Sequence, residues 1–187
     1  MSVEFAIVEA RMNEKNLAPK VTKSKKYKTW VSVEDERRCF TCATGHGTIW
    51  LIRELPLVKP PIHLFCRCRV KALGAITAGT ATFNGIDGAD WWLKYIRELP
   101  DYYITQQGLK ELGWQRGDNV SDYCDKHLTK GVYRNANGHL PKSPGRVWYE
   151  ADINYIEGQR NSQRILWSND GLIFVTFDHY ETFYEII

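Results

Sequence analysis

Four side chains in the second half of the sequence, Glu150, Arg160, Arg164 and His179, are of types that can break a phosphodiester beside a free 2′-hydroxyl without a metal ion. That reaction needs a base for the hydroxyl proton, an acid for the departing 5′-oxygen, and cations where the pentavalent phosphate gathers charge. A carboxylate, an imidazole and two guanidiniums meet the need. Such groups occur in nearly every sheet, and by type alone each is as well explained by a surface ion pair. A second set lies earlier, in Cys39-x-x-Cys42 and His63-x-x-Cys66-x-Cys68. Thiolates at this spacing can hold a structural zinc, with His63 as an alternative fourth ligand to one of the cysteines, or stand as buried thiols or disulfides. Cys124 and His127 read as structural or surface residues, and His46, between two glycines, as part of a turn.

The first set converges only if strands carry it. From Val147 onward the pattern is that of strands: RVWYEADI, SQRILWS, a turn at Asn169-Asp170-Gly171, LIFVTF, a loop at Asp178-His179, and YETFYEI. Alternation places Val147 and Tyr149 on one face and Trp148, Glu150 and Asp152 on the other, so that Asp152 can pair with an arginine of the next strand. Upstream, Trp91, Trp92, Tyr95, Ile96 and Leu99 recur at helical spacing until Pro100, which predicts an amphipathic helix with an aromatic core face. Thr105, GLKEL and Gly113 give a second short helix with an N-cap and a C-terminal glycine. Helices followed by an antiparallel sheet predict an α+β fold.

With 43% hydrophobic and 13% aromatic residues, the 187-residue chain can form packed cores. It has no apolar stretch of bilayer length, and its start is broken by charges, so the expectation is a soluble chain without a signal peptide or a membrane partner. The net charge of +3 hides a split. Residues 1–78 hold 14 Lys and Arg against 7 Asp and Glu, whereas residues 79–187 hold 11 against 15. The basic half is therefore not the half with the phosphodiester chemistry. Lys20 to Lys28 (KVTKSKKYK) reads as an exposed linker, and AITAGTATFNG as a second joint, which places a boundary near residue 78. The two parts are a basic, Cys-rich module with linkers (1–78) and an α+β domain (79–187).

From Leu99 to Phe183 the sequence resembles the barnase-type microbial ribonucleases. The resemblance is carried by LPDYYIT, LGW, GHLPKSPGRVWYEADINY and GQRNSQRILWSNDGLIFVTFDHYETF. It implies Glu150 as general base and His179 as general acid, the two exchanging roles when a 2′,3′-cyclic intermediate is hydrolysed. Arg160 and Arg164 match the phosphate-binding arginines, Asp152 the acid that supports them, and Tyr180 the tyrosine beside the acid. It implies single-stranded RNA as substrate, no cofactor or metal for catalysis, no DNA substrate, and a barstar-like inhibitor that places an acidic helix in the Arg160/Arg164 pocket. Two departures matter. Gln106 stands where the family has an active-site lysine, a loss on the order of 3 kcal/mol, or roughly a hundredfold in rate. Asn135-Ala136-Asn137-Gly138 stands where the family reads guanine with Asn-Arg-Glu-Gly. Asn137 offers both a carbonyl and an amide donor, and a turn rich in Asn and Gly is the other reading of this loop. With Gln106 and Ala136 removing two cations, barstar itself is expected to bind poorly.

DERRCFTCATG and PPIHLFCRCRV resemble the cysteine-rich end of the phage minor head, or head-morphogenesis, family. Such segments precede variable domains in polymorphic toxins. Together the resemblances imply a toxin-type ribonuclease, secreted, delivered into a target cell, or associated with a virion. The competing class is a non-catalytic RNA-binding or virion structural protein that keeps the fold, against which the joint presence of Glu150 and His179 argues. A zinc-dependent nuclease is a third reading, and the Cys cluster offers it no open coordination position beside a phosphate.

Overall fold

The computed structural model describes residues 19–156 and 158–187, so the charge-broken start of the chain lies outside it. The described residues form an α+β structure built on one mixed sheet of nine strands. Its strands are β1 (Thr22–Val31), β2 (Ile49–Leu51), β3 (Arg69–Ile76), β4 (Tyr103–Thr105), β5 (His127–Tyr133), β6 (Trp148–Asp152), β7 (Arg164–Ser168), β8 (Ile173–Thr176) and β9 (Tyr184–Ile186). They lie in the order β2-β1-β3-β9-β8-β7-β6-β5-β4. The pairings β3–β9 and β4–β5 are parallel and the others antiparallel. Three short helices accompany it: α1 (Phe40–Gly45), α2 (Ala89–Tyr95) and α3 (Gln106–Glu111). No helix among the described residues is long and apolar enough to cross a membrane.

Registration across β6, β7 and β8 divides the side chains between two faces. Glu150 lies opposite Leu166, which lies opposite Phe174, and Asp152 opposite Arg164, which lies opposite Thr176. The intervening row, Ala151, Ile165 and Val175, points the other way and is covered by Ala89 and Leu93 of α2. The aromatic residues of α2 do not form that contact. Ala89, Asp90 and Leu93 are buried, while Tyr95 and Ile96 are 58% and 47% exposed. The helix turns its small residues inward because Asp90 is needed there: its carboxylate accepts from Gly79 N, Ala81 N and Thr82 Oγ1 at 2.7, 2.9 and 2.7 Å. The short helix α3 begins where Thr105 predicts, with Thr105 Oγ1 accepting from Gly108 N at 3.0 Å.

Neither of the two stretches read as joints is one. Lys20 to Lys28 enters β1, with Ser24 and Tyr27 buried between exposed lysines, so the charge run is the solvent side of a strand. AITAGTATFNG finishes β3 and buries Ile76, Ala78 and Ala81 in the core beneath α2. The sheet runs from β3 directly into β9, where Gly74 lets the strands approach; a Cβ there would meet the Tyr184 ring at 2.6 Å. Tyr27, Ile49 and Leu73 from the first three strands share a second core with Leu140, Trp148, Leu166, Phe174 and Phe183. The amino-terminal strands thus pack on the same sheet face that carries Glu150.

Candidate active site

Glu150 is buried in the middle of β6, and its two carboxylate oxygens are both engaged. Tyr180 Oη donates to Oε2 at 2.5 Å, and Lys130 Nζ lies 3.2 Å from Oε1. Lys130 Nζ also donates to Tyr180 Oη at 3.3 Å, so the three groups close a triangle. Burial, and then the Glu150 carboxylate, pushes the Tyr180 hydroxyl up, which keeps it a donor. The Tyr180 ring stacks on Tyr133 of β5 with centroids 5.4 Å apart.

Two residues along β6 on the same face, Asp152 is fully buried and gathers both arginines. Arg160 reaches it through Nε and, at 3.2 Å, through Nη2; Arg164 Nε lies 2.9 Å from Oδ1. The Arg164 N–H is not aimed at that oxygen, making this an ion pair without a hydrogen bond at Nε. Arg164 spends Nη1 on the carbonyls of Asn161 and Gln163 at 2.5 and 2.7 Å. Tyr155 Oη donates to Asp152 at 2.7 Å and accepts from Leu128 N at 3.1 Å. The hydrogen bond from Arg160 to Asp152 raises the guanidinium further, so its charge is permanent. Three cations against two carboxylates leave the sheet face net positive, which suits a phosphate.

His179 is exposed on the loop between β8 and β9, and no hydrogen bond among the described residues involves its ring. Both His179 (φ 59°) and Tyr180 (φ 74°) take the left-handed conformation that side chains other than glycine seldom adopt. The loop is held in it from below. Thr176 Oγ1 accepts from Tyr180 N and donates to Asp178 Oδ1, each at 2.9 Å, and Asp178 Oδ1 accepts from Thr182 N at 2.8 Å. Backbone strain fixed by surrounding bonds is characteristic of functional loops. The imidazole ring sits 5.0 Å from that of Tyr180, which in turn touches Glu150.

The Asn135–Gly138 loop is closed on itself. Asn135 is buried, with its side chain exchanging hydrogen bonds with Leu140 N and O at 3.1 and 2.9 Å. Asn137 contacts His139 through both its amide nitrogen (3.0 Å) and its carbonyl (3.2 Å). The next strand of the amino-terminal part holds this loop in turn, Ile49 N donating to His139 O at 2.8 Å. Gln106 is exposed at the start of α3. Lys130, Tyr155 and Tyr133 were not singled out from sequence; the glycine inside HLTKGVY, a bulge signal in a strand pattern, is what marks Lys130.

The cysteines converge elsewhere. Cys39, Cys42 and His63 form one trio of donor atoms and Cys42, Cys66 and Cys68 another, each within 4.8 Å. His63 Nε2 lies 3.4 Å from the Sγ of both Cys39 and Cys42, and Cys42 Sγ lies 3.8 Å from Cys66 Sγ. Zinc bond lengths imply tetrahedron edges of about 3.5 to 3.8 Å for such donors, so the spacing fits that ion. His63 Nδ1 lies 2.8 Å from the Leu64 carbonyl, which can only accept; Nδ1 therefore carries a proton, and Nε2 is the nitrogen that faces the thiols. Burial, then neighbouring thiols, pushes Cys42 up, whereas Cys66 is brought to about 7, burial opposing and backbone N–H groups outweighing it.

Residues 94–187 match the model of a family described as ribonuclease, and residues 2–71 match that of Phage Mu protein F like proteins. A ribonuclease of Heyndrickxia coagulans is 44% identical over 107 residues, covering 56% of this chain and 95% of that protein. Ribonucleases of Bacillus intermedius and Bacillus pumilus are each 44% identical over 107 residues, and the matched segment spans 64% of their length.

Proposed function

Because this chain belongs to the ribonuclease family, we propose that it is a metal-independent endoribonuclease acting on single-stranded RNA through Glu150 and His179. The observation that carries the mechanism is the arrangement of three groups: a buried carboxylate at Glu150, the Asp152-bound arginines beside it, Arg160 from the segment between β6 and β7 and Arg164 from the start of β7, and an imidazole on the strained loop that no described residue engages. Glu150 takes the proton of the 2′-hydroxyl as that oxygen attacks phosphorus. His179 gives its proton to the 5′-oxygen as the P–O bond breaks, leaving a 2′,3′-cyclic phosphate. Water then opens the ring with the two roles exchanged. Arg160 and Arg164 meet the charge on the phosphate, and Asp152 holds them at the required spacing.

The proposal extends to base choice and setting. With both Asn137 polar atoms engaged by His139, the loop discriminates guanine weakly, and the main source of specificity is the ribose. The match of residues 2–71 to a phage family supports a ribonuclease delivered as cargo, a toxin, with a dedicated barstar-like protein inhibiting it in the producing cell. Four of the five residues Cys39, Cys42, His63, Cys66 and Cys68, with His63 as the alternative to one of the cysteines, supply the ligands of a structural zinc that ties the segment before α1 to the 60–68 loop and takes no part in cleavage. The test is incubation of the full chain with a single-stranded RNA in magnesium-free buffer, beside Glu150→Ala and His179→Ala. Cutting lowered at least a thousandfold by either change supports the reading; equal cutting by all three proteins refutes it.

A further inference from the structure

We propose that Lys130 is a catalytic cation of this site, supplying from β5 the positive charge that Gln106 does not supply from the start of α3. The inference rests on Glu150 being the base. The pairing of β5 with β6 shifts between Thr129, opposite Ala151, and Gly131, opposite Glu150. Lys130 is the extra residue of that bulge, facing Glu150 with no partner position of its own. The bulge exists because Gly131 takes φ +83°, the left-handed backbone available to glycine. Two adjacent residues thus do one thing: they lift a lysine out of the ladder and aim it at the carboxylate. The resulting contacts, 3.2 Å to Glu150 Oε1 and 3.3 Å to Tyr180 Oη, are those of a group positioned before substrate arrives. Its side chain is 30% exposed, so the ammonium reaches the open side of the site, unlike the nearly buried Arg164.

The charge logic favours a role in the reaction over one in packing alone. As Glu150 takes the 2′-hydroxyl proton its charge is cancelled, while negative charge builds on the non-bridging oxygens of the phosphate. The lysine on its flexible stem then loses one anionic partner as another forms within reach. A resting ion pair becomes a contact made in the transition state.

The experiment compares kcat and KM for RNA cleavage by the full chain, Lys130→Ala, Lys130→Arg, and Lys130→Ala combined with Gln106→Lys, with the melting temperature of each. The expected result is a kcat about a hundredfold lower for Lys130→Ala with KM changed little. Lys130→Arg keeps most of the rate, and Gln106→Lys restores at least tenfold to the Lys130→Ala protein. If removal of the side chain loosens the bulge, Lys130→Gln, which keeps the stem and a donor for Tyr180, carries the comparison. A kcat within threefold of the parent in Lys130→Ala or Lys130→Gln, with cleavage still dependent on Glu150, overturns the inference alone. Absence of cleavage by the parent chain counts against the ribonuclease reading itself.

Discussion

Asp152 has no exposure and faces two guanidiniums and a phenol, so its removal strands Arg164, itself almost fully buried, without its counter-charge. Breaking one side of a buried pair costs about 3 to 5 kcal/mol. Asp152→Ala is therefore expected to lose about that much in urea unfolding; a loss under about 1 kcal/mol would show that Arg164 finds solvent once released. At this scale the sequence was legible where neighbours on both sides matched a known pattern, as around Glu150, Asp152 and Arg164. It was silent on Lys130, because what brings a lysine to a carboxylate here is a one-residue shift in pairing, which no spacing along a single strand reveals. It was also silent on how far Asn137 is committed to its own loop, since that depends on a turn closing back on His139.

The elements that position these residues depend on a bulge in β5 and a turn between β7 and β8, at positions whose own side chains make no contact in the site. Nothing lies within 4 Å of a Cβ built at Gly131, so Gly131→Ala is opposed by backbone conformation and not by a clash. It is expected to cost about 1 to 2 kcal/mol and to lower cleavage by withdrawing Lys130; unchanged stability and rate would mean the bulge survives alanine. At the β7–β8 turn, Asp170 accepts from Arg146 Nε and Nη2 and from Ser168 Oγ, and the Arg146 bonds hold its carboxyl down at about 2. A carboxylate depressed in the folded state adds stability above its ordinary pKa of 3.8 and loses it as pH falls toward about 2. Asp170→Asn is thus expected to be less stable than the parent at neutral pH, by under about 1 kcal/mol because the side chain is half exposed. The difference should close between pH 3.8 and 2 in thermal melts, and a gap constant across that window would contradict the assignment. The four strands after Val147 were readable from their β-branched and aromatic runs and the turns between them, whereas α2 misled: its aromatic stripe suggested a core face, and the buried Asp90, which binds the 79–82 segment, turned the helix the other way.

Over the whole molecule, the amino-terminal strands extend the sheet and complete the core on the face that carries Glu150, with Tyr27, Ile49 and Leu73 in one cluster with Leu166 and Phe174. That continuity was hidden in the sequence because a run of lysines outweighs the two buried residues between them, and a Gly- and Thr-rich stretch looks the same whether it swings free or wraps a buried aspartate. If the cysteine cluster holds zinc, one ion per chain is expected, and chelation should lower the melting temperature while leaving cleavage, assayed well below the melt, within about twofold. A rate that falls in step with bound zinc would place the metal in the chemistry. The central claim is that the ribose hydroxyl does the cutting under the control of Glu150 and His179. It is tested most directly by giving the full chain a deoxy strand bearing one ribonucleotide and identifying the ends formed. Cleavage only at the ribose, leaving a 2′,3′-cyclic phosphate, is expected; cutting at deoxy linkages, or a free 3′-hydroxyl beside a 5′-phosphate, would contradict it.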